Sequence, residues 1–410
     1  MKYFLIIVSF VAFSSSGFSQ DTLNVMFYNV LNYPQVNPTK ADTLKPIVKL
    51  IKPDIFMITE LTALSGANLI LTDALNVDGV THYQRATYFN GPDTDNMLYY
   101  NSNKLALKSQ FEIATVLRNI SEYVLYYNAQ TLSPGDDTIF IYCYVAHLKA
   151  SQGITNEQQR NQEVVTFKNY LDAKAVSLEN VFFAGDMNLY GDFEPAHNTI
   201  LNGGLVKLFD PINLPGLWHA NSSFSAIHTQ SPRNVLLPDG GSNGGLDDRF
   251  DWIFTSQDAL NGTNKVKYIP NSYEAIGNDG LHFNKSITDA PVNISVTPNV
   301  LSALFYMSDH LPVAMKVEIG NNVTVGIEQQ VNISSWKGFF ANNQFNFQSK
   351  NPESLLNVTV FDLVGRMVYT NKFNSTNSFI INLSSLTNGL YFVYVNSEKT
   401  QETFKIIKEK

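Results

Sequence analysis

Polar residues of the types used in catalysis stand beside the apolar runs of this 410-residue chain. Each lies where a predicted strand ends or begins. They are Asn29 after VMFY, Glu60 after DIFMIT, His147 after IYCYVA, Asp186 and Asn188 after VFFAG, Asp251 before WIF, and Asp309 and His310 before LPV. One such residue is usually a turn former, but a set this large predicts a site built at one edge of a sheet scaffold.

These residue types favour a hard cation as a ligand. Carboxylates and an amide oxygen, in a chain without CxxC or HExxH, suit Mg²⁺ or Mn²⁺ better than zinc. A histidine beside a carboxylate, as in Asp309–His310, suits acid–base work and the stabilisation of phosphate oxygens. A cation, an activated water and donors for oxyanion charge are what hydrolysis of a phosphate ester needs.

Strands interleaved with a few helices must position this site. We predict a helix from near Asp42, with Pro46 in its first turn, and another that starts with a capping box at Thr155. Long loops, rich in Gly, Asn, Ser and Pro, cover 192–246 and 271–299. This order indicates a sheet layer flanked by helices. The main predicted strands cover 23–32, 54–60, 139–148, 181–186, 250–255 and 313–319.

The motifs resemble those of the endonuclease/exonuclease/phosphatase superfamily, which includes pancreatic-type deoxyribonucleases, apurinic endonucleases, neutral sphingomyelinases and inositol polyphosphate 5-phosphatases. The matching stretches, over about 23–318, are YN, KPDIFMITE, YVAHLKAS, FAGDMNLY, DRFDWIF and SDHLPV. Singly they are weak, but six in the family's order are specific. The resemblance implies an α/β fold, a four-layered sandwich of two packed β-sheets flanked by helices.

The resemblance also implies which residues handle the metal and the water. Glu60 is expected to be the principal ligand of Mg²⁺ or Mn²⁺, helped by Asn29 and Asp309. Asp186 is expected to orient or deprotonate the attacking water. Whether Asp186 or His310 is the general base stays open at this stage.

The remaining matching residues are expected to contact the phosphate. Asn188 would donate a hydrogen bond to the scissile phosphate, and His147 and His310 would donate to its oxygens. His310 is expected to pair with Asp251, or with its neighbour Asp309. Arg249 is a further candidate for substrate binding, although a surface or structural role is as compatible with its position.

Other polar residues carry weaker predictions. Arg118 and Tyr123 lie about where the family often contacts substrate, and a packed or solvated role is equally compatible with the sequence. Arg160 is expected on a helix surface or in a salt bridge. The remaining histidines have no family match and are expected to be ordinary surface or loop residues; they are His82, His197, His219, His228 and His282.

Composition narrows the class of protein. A hydrophobic fraction of 44% excludes a mainly disordered chain. A net charge of −8 gives no general attraction to polyanions, so nucleic-acid binding would need a local basic groove. The single cysteine, Cys143, forms no internal disulfide and lies in an apolar run, where we expect a buried core residue.

The N-terminus predicts export. Lys2 is followed by an apolar run over 3–13 and by small residues over 14–19, the pattern of a signal peptide that we place at residues 1–20. No later run is long enough for a membrane-spanning helix. We therefore expect an exported protein without a stable membrane span, and we expect it to be a monomer.

The C-terminal part, 335–410, shows short alternating runs typical of a small all-β sandwich. VTVFDLVGRMVYT, LSSLTNGLYFVYV and TFKIIK resemble the type A C-terminal sorting domain of the type IX secretion system of Bacteroidetes. The resemblance implies that the type IX secretion machinery is a partner; an accessory sandwich that binds carbohydrate is the alternative. We predict a catalytic domain over 21–320 and a linker over 321–334.

The combined prediction is a secreted, Mg²⁺-dependent hydrolase of phosphodiester bonds. An extracellular nuclease that acts on DNA or RNA is the leading hypothesis, and a phospholipid, sphingomyelin or small-molecule phosphodiesterase is the alternative. A non-catalytic binding protein on the same scaffold is a distant third, because Glu60, Asp186 and His310 are all present.

Overall fold

The computed structural model describes residues 21–35, 37–128, 138–320, 336–341, 343–363, 365–397 and 401–408. The chain divides into two compact units, Met1–Val323 and Thr324–Lys410. The predicted signal peptide (1–20) and linker (321–334) lie outside the described residues, and the predicted domain boundaries stay predictions. None of the described helices has both the length and the apolar character needed to cross a bilayer.

The first unit alternates strands and helices. Its strands are β1 (Asp21–Tyr33), β2 (Ile55–Leu61), β3 (Tyr83–Arg85), β4 (Asp95–Asn101), β5 (Leu105–Ile113), β6 (Ile120–Tyr127), β7 (Phe140–His147), β8 (Val181–Asp186), β9 (Leu208–Phe209), β10 (Asp251–Ser256), β11 (Val266–Tyr268), β12 (Glu274–Ala275) and β13 (Val313–Ile319). Its α-helices are α1 (Lys40–Ile51), α2 (Leu64–Leu69), α3 (Ile154–Lys174), α4 (Pro195–Asn202), α5 (Gln257–Asn261) and α6 (Pro298–Met307). Shorter helical turns cover Ile70–Leu75, Ala175–Ser177 and Ser222–Ile227.

One mixed sheet has the strand order β11-β13-β1-β2-β4-β3, with β12 beside β13. Strands β1 and β2 are parallel, whereas β13 runs antiparallel to β1 and pairs Val313 with Phe27. The C-terminal halves of β1 and β2 therefore share an edge with the start of β13. This edge carries Asn29, Glu60 and His310.

The second sheet has the order β5-β6-β7-β8-β10-β9, with β7 and β8 parallel and β10 antiparallel to β8. Because side chains alternate along a strand, Cys143 and Val145 pack against the first sheet while Tyr144 and Ala146 pack under helices α3 and α4. Helices α1 and α6 pack on the first sheet. These four layers confirm the predicted α/β sandwich, and Cys143 is a buried core residue as predicted.

Two helix starts differ from the prediction. Helix α1 begins at Lys40, so Pro46 lies inside it rather than in its first turn; Lys40 and Ala41 are buried and extend the packed face towards the N-terminus. Helix α3 begins at Ile154, so Thr155 lies within the helix and makes no capping box. Gly153 precedes it, and its carbonyl accepts from the N–H of Glu157 at 3.0 Å.

The second unit is all-β. Its antiparallel strands are β14 (Trp336–Ala341), β15 (Gln344–Asp362), β16 (Met367–Asn382), β17 (Gly389–Asn396) and β18 (Gln401–Lys408). Their order is β14-β15-β17-β18, with β16 beside β15. Strand β15 contains a register shift between Gln348 and Glu353, and the rings of Phe345 and Phe404 meet at 5.3 Å across the core. The predicted all-β domain is confirmed.

Candidate active site

Three of the predicted residues lie in one row across the second sheet. His147 at the end of β7 pairs in register with Asp186 at the end of β8, and Asp186 pairs with Asp251 at the start of β10. In each strand the residue two positions away packs between the two sheets. Because alternate side chains share a face, the row points at the first sheet. All three residues are buried.

Asn29 and Glu60 of the first sheet meet this row. Asn29 Nδ2 donates to Glu60 Oε1 at 2.8 Å and to Asp186 Oδ2 at 3.1 Å. Asn29 Oδ1 accepts from the N–H of Leu31 at 3.0 Å, and since an N–H can only donate, this contact fixes the orientation of the amide. Its NH₂ group thus holds two carboxylates together, and the role of Asn29 as a metal ligand stays a prediction.

Glu60 and Asn188 adopt backbone conformations that are uncommon for residues other than glycine, with φ of 60° and 49°. Local hydrogen bonds hold both. The N–H of Asn32 donates to Glu60 Oε2 at 3.0 Å, and Asn188 donates to Asp186 Oδ1 from its N–H at 3.1 Å and from Nδ2 at 2.9 Å. Backbone strain of this kind often accompanies functional sites.

His310 closes the site from the start of β13. Its Nδ1 lies 2.7 Å from Asp251 Oδ2, which is the predicted pairing. This contact directs Nε2 into the site, where it lies 3.5 Å from Asp186 Oδ2 and 4.0 Å from Asp309 Oδ1. The side-chain amide of Gln230 also meets Nε2, at 2.7 Å. His310 is thus oriented on one side and faces polar groups on the other.

The charged groups of the site are buried together. Burial raises the pKa of Glu60 above its ordinary value and raises the pKa of Asp186 to about 7. Burial lowers the pKa of His147 well below its ordinary value, so this ring is neutral. Burial alone would lower the pKa of His310, but nearby carboxylates, Asp251 foremost, raise it well above its ordinary value. A cation near the two carboxylates would offset the cost of their burial.

The donor atoms fit a divalent cation. Atoms of Glu60, His147 and Asp186 lie within 4.8 Å of one another. Among the described residues, neither His147 Nδ1 nor Asp309 Oδ1 has a hydrogen-bond partner, although both atoms are buried. Buried polar atoms without partners are costly, so their presence favours a ligand at this point. The carboxylate oxygens among these atoms are ligands that hard divalent cations prefer. We name Glu60, His147, Asp186, Asp251, Asp309 and His310 the sheet-edge cluster.

The structure does not bring Arg249 into the sheet-edge cluster. Its guanidinium makes two hydrogen bonds of 2.9 Å to Asp210 and lies 3.4 Å from the ring centroid of Trp252. The side chain is 1% exposed, so no surface remains for a substrate. The predicted substrate contact is therefore corrected to a structural ion pair, the other role that the sequence allowed.

Arg118 borders the site, whereas Tyr123 is packed in the core. Arg118 Nη1 donates to the carbonyl of His147 at 3.4 Å, and its Nε lies 2.9 Å from Asp93 Oδ2. Arg160 is fully buried and pairs with Glu194 at 2.8 Å, which is the salt-bridging role that the sequence allowed.

Sequence patterns did not single out Thr229 or Gln230. The Thr229 hydroxyl accepts from the N–H groups of Phe250 and Asp251, and Gln230 contacts His310. Both lie in a long loop without hydrophobic periodicity. Only the Gly- and Asn-rich composition of that loop marked it as a functional candidate.

The histidines outside the site are less exposed than predicted. His197, His228 and His282 are buried; His228 and His282 lie in loops, the other placement that was predicted, whereas His197 lies in helix α4 and the prediction is wrong for it. Both ring nitrogens of His282 have partners, Asp279 and backbone carbonyls, whereas His228 contacts the Trp218 carbonyl with Nε2 and its buried Nδ1 has no hydrogen-bond partner among the described residues. His219 is partly exposed and forms a second group of potential ligands, which we name the loop cluster; it consists of His219, Asp247 and Asp248.

Comparison with known families identifies the C-terminal unit. Residues 341–409 match the family described as the secretion system C-terminal sorting domain. The match indicates export and attachment to the cell surface by the type IX secretion system, as the sequence motifs predicted. No curated protein matches the chain.

Solved structures resemble the first unit weakly. One is truncated TDP2 of Caenorhabditis elegans, at 16% identity and a TM-score of 0.46, over 73% of this chain and 98% of that one. A second is an endonuclease/exonuclease/phosphatase family protein from Bacteroides thetaiotaomicron, at 12% identity and 0.43, over 74% and 100%. A third is the human Nocturnin catalytic domain with bound sulfate, at 16% identity and 0.43, over 74% and 98%.

Proposed function

We propose that this chain is an exported phosphodiesterase that depends on Mg²⁺ or Mn²⁺ and cleaves nucleic acid. The observation that carries the proposal is the buried row of His147, Asp186 and Asp251, which faces Glu60 across the two sheets and is closed by His310. This arrangement combines carboxylate ligands, a candidate base and oriented imidazole donors within one site. Hydrolysis of a phosphodiester requires these three functions.

The cation would be held by Glu60 and Asp309. A bound Mg²⁺ or Mn²⁺ supplies Lewis acidity that polarises a phosphoryl oxygen and neutralises its charge. Glu60 is held for this role by the Asn29 amide and by the N–H of Asn32. Asp309 presents a buried oxygen without a partner in the described part of the chain.

Asp186 would orient the attacking water and accept its proton. Its Oδ1 is engaged by Asn188, while Oδ2 lies 3.6 Å from His147 and 3.5 Å from His310. Because Asp251 fixes Nδ1 of His310, Nε2 faces inwards and can donate to a phosphate oxygen. Neutral His147 can donate one proton to a second oxygen. Asn188 would contribute its amide to the same phosphate.

Nucleic acid is the first substrate class proposed, and Arg118, beside the His147 carbonyl at the border of the site, would meet a backbone phosphate. Lipid is the second candidate, since the exposed side chains of Val235 and Leu236 form an apolar tip on the loop that contacts Asp309. The two classes differ in which of these surface features binds the substrate.

Hydrolysis by the purified protein tests the proposal. Plasmid DNA, single-stranded RNA, sphingomyelin and phosphatidylcholine vesicles, and bis(4-nitrophenyl) phosphate would each be incubated with Mg²⁺, with Mn²⁺ or with EDTA. We expect cation-dependent cleavage of the nucleic acids, and loss of it in Asp186→Asn. Asp42→Asn is the matched control, because its carboxylate is 70% exposed on helix α1.

The outcomes separate the substrate classes. Turnover of vesicles without nucleic-acid cleavage would support the lipid alternative and refute the nuclease assignment. Hydrolysis that persists in EDTA would refute the metal. A folded protein that hydrolyses none of the five substrates would contradict phosphodiesterase activity as a whole.

A further inference from the structure

The carboxylate of Asp309 is anchored through one oxygen only. Its Oδ2 accepts from the N–H of Ser242 at 2.6 Å and from Gln230 Nε2 at 3.4 Å. Its Oδ1 is buried, lies 4.0 Å from His310 Nε2 and has no hydrogen-bond partner among the described residues. One oxygen is therefore fixed by a loop and the other is presented to the site.

The loop that fixes Asp309 covers residues 233–242, and we name it the Asp309 loop. It contains a turn in which the N–H of Gly240 donates to the carbonyl of Leu237 at 3.0 Å. Arg233, at 0% exposed, donates from Nη2 to the Gly240 carbonyl at 2.7 Å and lies 3.2 Å from Asp239 Oδ1 through Nη1. A buried guanidinium thus ties the start of the loop to its far side.

A second buried cation reaches the loop from helix α1. Lys40 is 3% exposed, and its Nζ lies 3.1 Å from Asp239 Oδ2. Asp239 therefore joins Lys40 and Arg233, and its contact with Lys40 links residues that are 199 positions apart in sequence. Burying such charges gains little net stability after desolvation. The presence of these ion pairs is better explained by their conformational effect, which is to hold the loop in one arrangement.

Gly241 gives the loop its close approach to the carboxylate. A Cβ at this position would lie 2.7 Å from Asp309 Cγ and 3.0 Å from Arg233 Nη2. Gly240, its neighbour, has the same φ of +79°, but a Cβ there would meet nothing within 4 Å. The two glycines share the same backbone requirement and differ only in whether a side chain would displace Asp309.

We propose that Lys40, Arg233, Asp239 and Gly241 are positioning residues that set the orientation of Asp309 for cation binding. This inference rests on the proposed function, since it assigns the Asp309 loop to the metal site of that reaction. The Lys40–Asp239–Arg233 ion pairs hold the loop, Gly241 lets it approach Asp309, and the N–H of Ser242 fixes Oδ2 so that Oδ1 faces the cation. Groups that orient metal ligands in this way commonly set metal affinity.

The matched pair Gly241→Ala and Gly240→Ala tests the inference in the full chain. Free Mn²⁺ would be measured by electron paramagnetic resonance during titration, which reports affinity without turnover. We expect Gly241→Ala to weaken Mn²⁺ binding by about 10- to 100-fold, the effect typical of groups that orient ligands, and Gly240→Ala to leave it unchanged. Both substitutions introduce the same backbone strain, and Gly241→Ala adds a close contact with Asp309, so Mn²⁺ is titrated at a temperature at which both variants are folded.

A second pair of variants tests the Lys40–Asp239–Arg233 ion pairs and does not depend on a glycine substitution. Lys40→Met should weaken Mn²⁺ binding, whereas Lys45→Met, which removes a partly exposed lysine from the same helix, should not. Equal Mn²⁺ affinities for Gly240→Ala and Gly241→Ala, in a chain that still binds Mn²⁺ and hydrolyses diesters, would overturn this inference alone. A wild-type chain that binds no Mn²⁺ would overturn the proposed function along with it.

Discussion

The sheet-edge cluster and the loop cluster both contain a histidine whose Nδ1 contacts an aspartate at the same short distance. His310 Nδ1 lies 2.7 Å from Asp251 in the first, and His219 Nδ1 lies 2.7 Å from Asp248 in the second. Both clusters also bring three potential ligands together. A short His–Asp contact is therefore not what distinguishes a candidate catalytic site in this protein.

The two clusters differ in burial and in whether their remaining polar atoms have hydrogen-bond partners. The side chain of His219 is 34% exposed, and its Nε2 lies 2.8 Å from Gln152, so both ring nitrogens have partners. The side chain of His310 is 3% exposed, and the same cluster keeps unpaired atoms on His147 and Asp309. Unsatisfied buried groups have a cost that a bound ligand removes. The comparison favours the sheet-edge cluster as the site of the proposed catalysis.

The largest expected difference lies between two aspartates. Asp186→Asn should lower kcat/KM by roughly 10⁴-fold, the upper range for loss of a general base. Asp248→Asn should leave it almost unchanged, because Asp248 contacts His219 of the loop cluster and not the reacting groups. Steady-state hydrolysis of bis(4-nitrophenyl) phosphate measures both. Comparable losses of kcat/KM in the two variants would contradict a catalytic difference between the clusters.

The two His–Asp pairs should also differ in how their substitutions combine. His310→Ala should lower kcat by about 10²- to 10³-fold, the loss expected for one donor to a developing oxyanion. Adding Asp251→Asn should cost little more, because Asp251 acts through His310. The pair His219→Ala and Asp248→Asn should show two small effects that add. Additive losses at His310 and Asp251 would mean that Asp251 has a separate role.

Metal binding distinguishes the two clusters in an experiment that needs no substrate. Mn²⁺ should raise the melting temperature of the protein, because a ligand that binds only the folded state stabilises it. Glu60→Gln should remove most of this shift, whereas Asp247→Asn in the loop cluster should leave it intact. Differential scanning calorimetry with and without Mn²⁺ provides the measurement. A shift that depends on Asp247 instead would move the cation to the loop cluster.

The sequence predicts the strands that carry the site better than the loop residues that hold its side chains in place. Strands β8 and β13 have the predicted bounds, and the polar residues at their ends meet because parallel and antiparallel neighbours align those ends. The residues that hold these side chains in place come from loops without hydrophobic periodicity. Ser242 is 67 residues from Asp309, and nothing local in the sequence indicates their contact.

Arg249 shows the same limit within a recognisable motif. In the sequence it stands two residues before Asp251, where a substrate contact and a structural ion pair look alike. Its partner, Asp210, is 39 residues away in a different loop. Only the packing of that loop on β10 decides between the two roles. Short-range motifs predict which residues reach the sheet edge, but not which neighbours turn away from it.

A small effect on activity is therefore expected at Arg249, which stands in sequence between Asp248 of the loop cluster and Asp251 of the sheet-edge cluster. Arg249→Met should destabilise the fold by about 3–5 kcal/mol, because it leaves the buried Asp210 without its partner. The fraction that remains folded at low temperature should keep its KM, since the guanidinium faces Trp252 rather than the site. Thermal melts and KM for bis(4-nitrophenyl) phosphate measure the two quantities. A KM that rises severalfold in Arg249→Met at unchanged stability would return Arg249 to the substrate site.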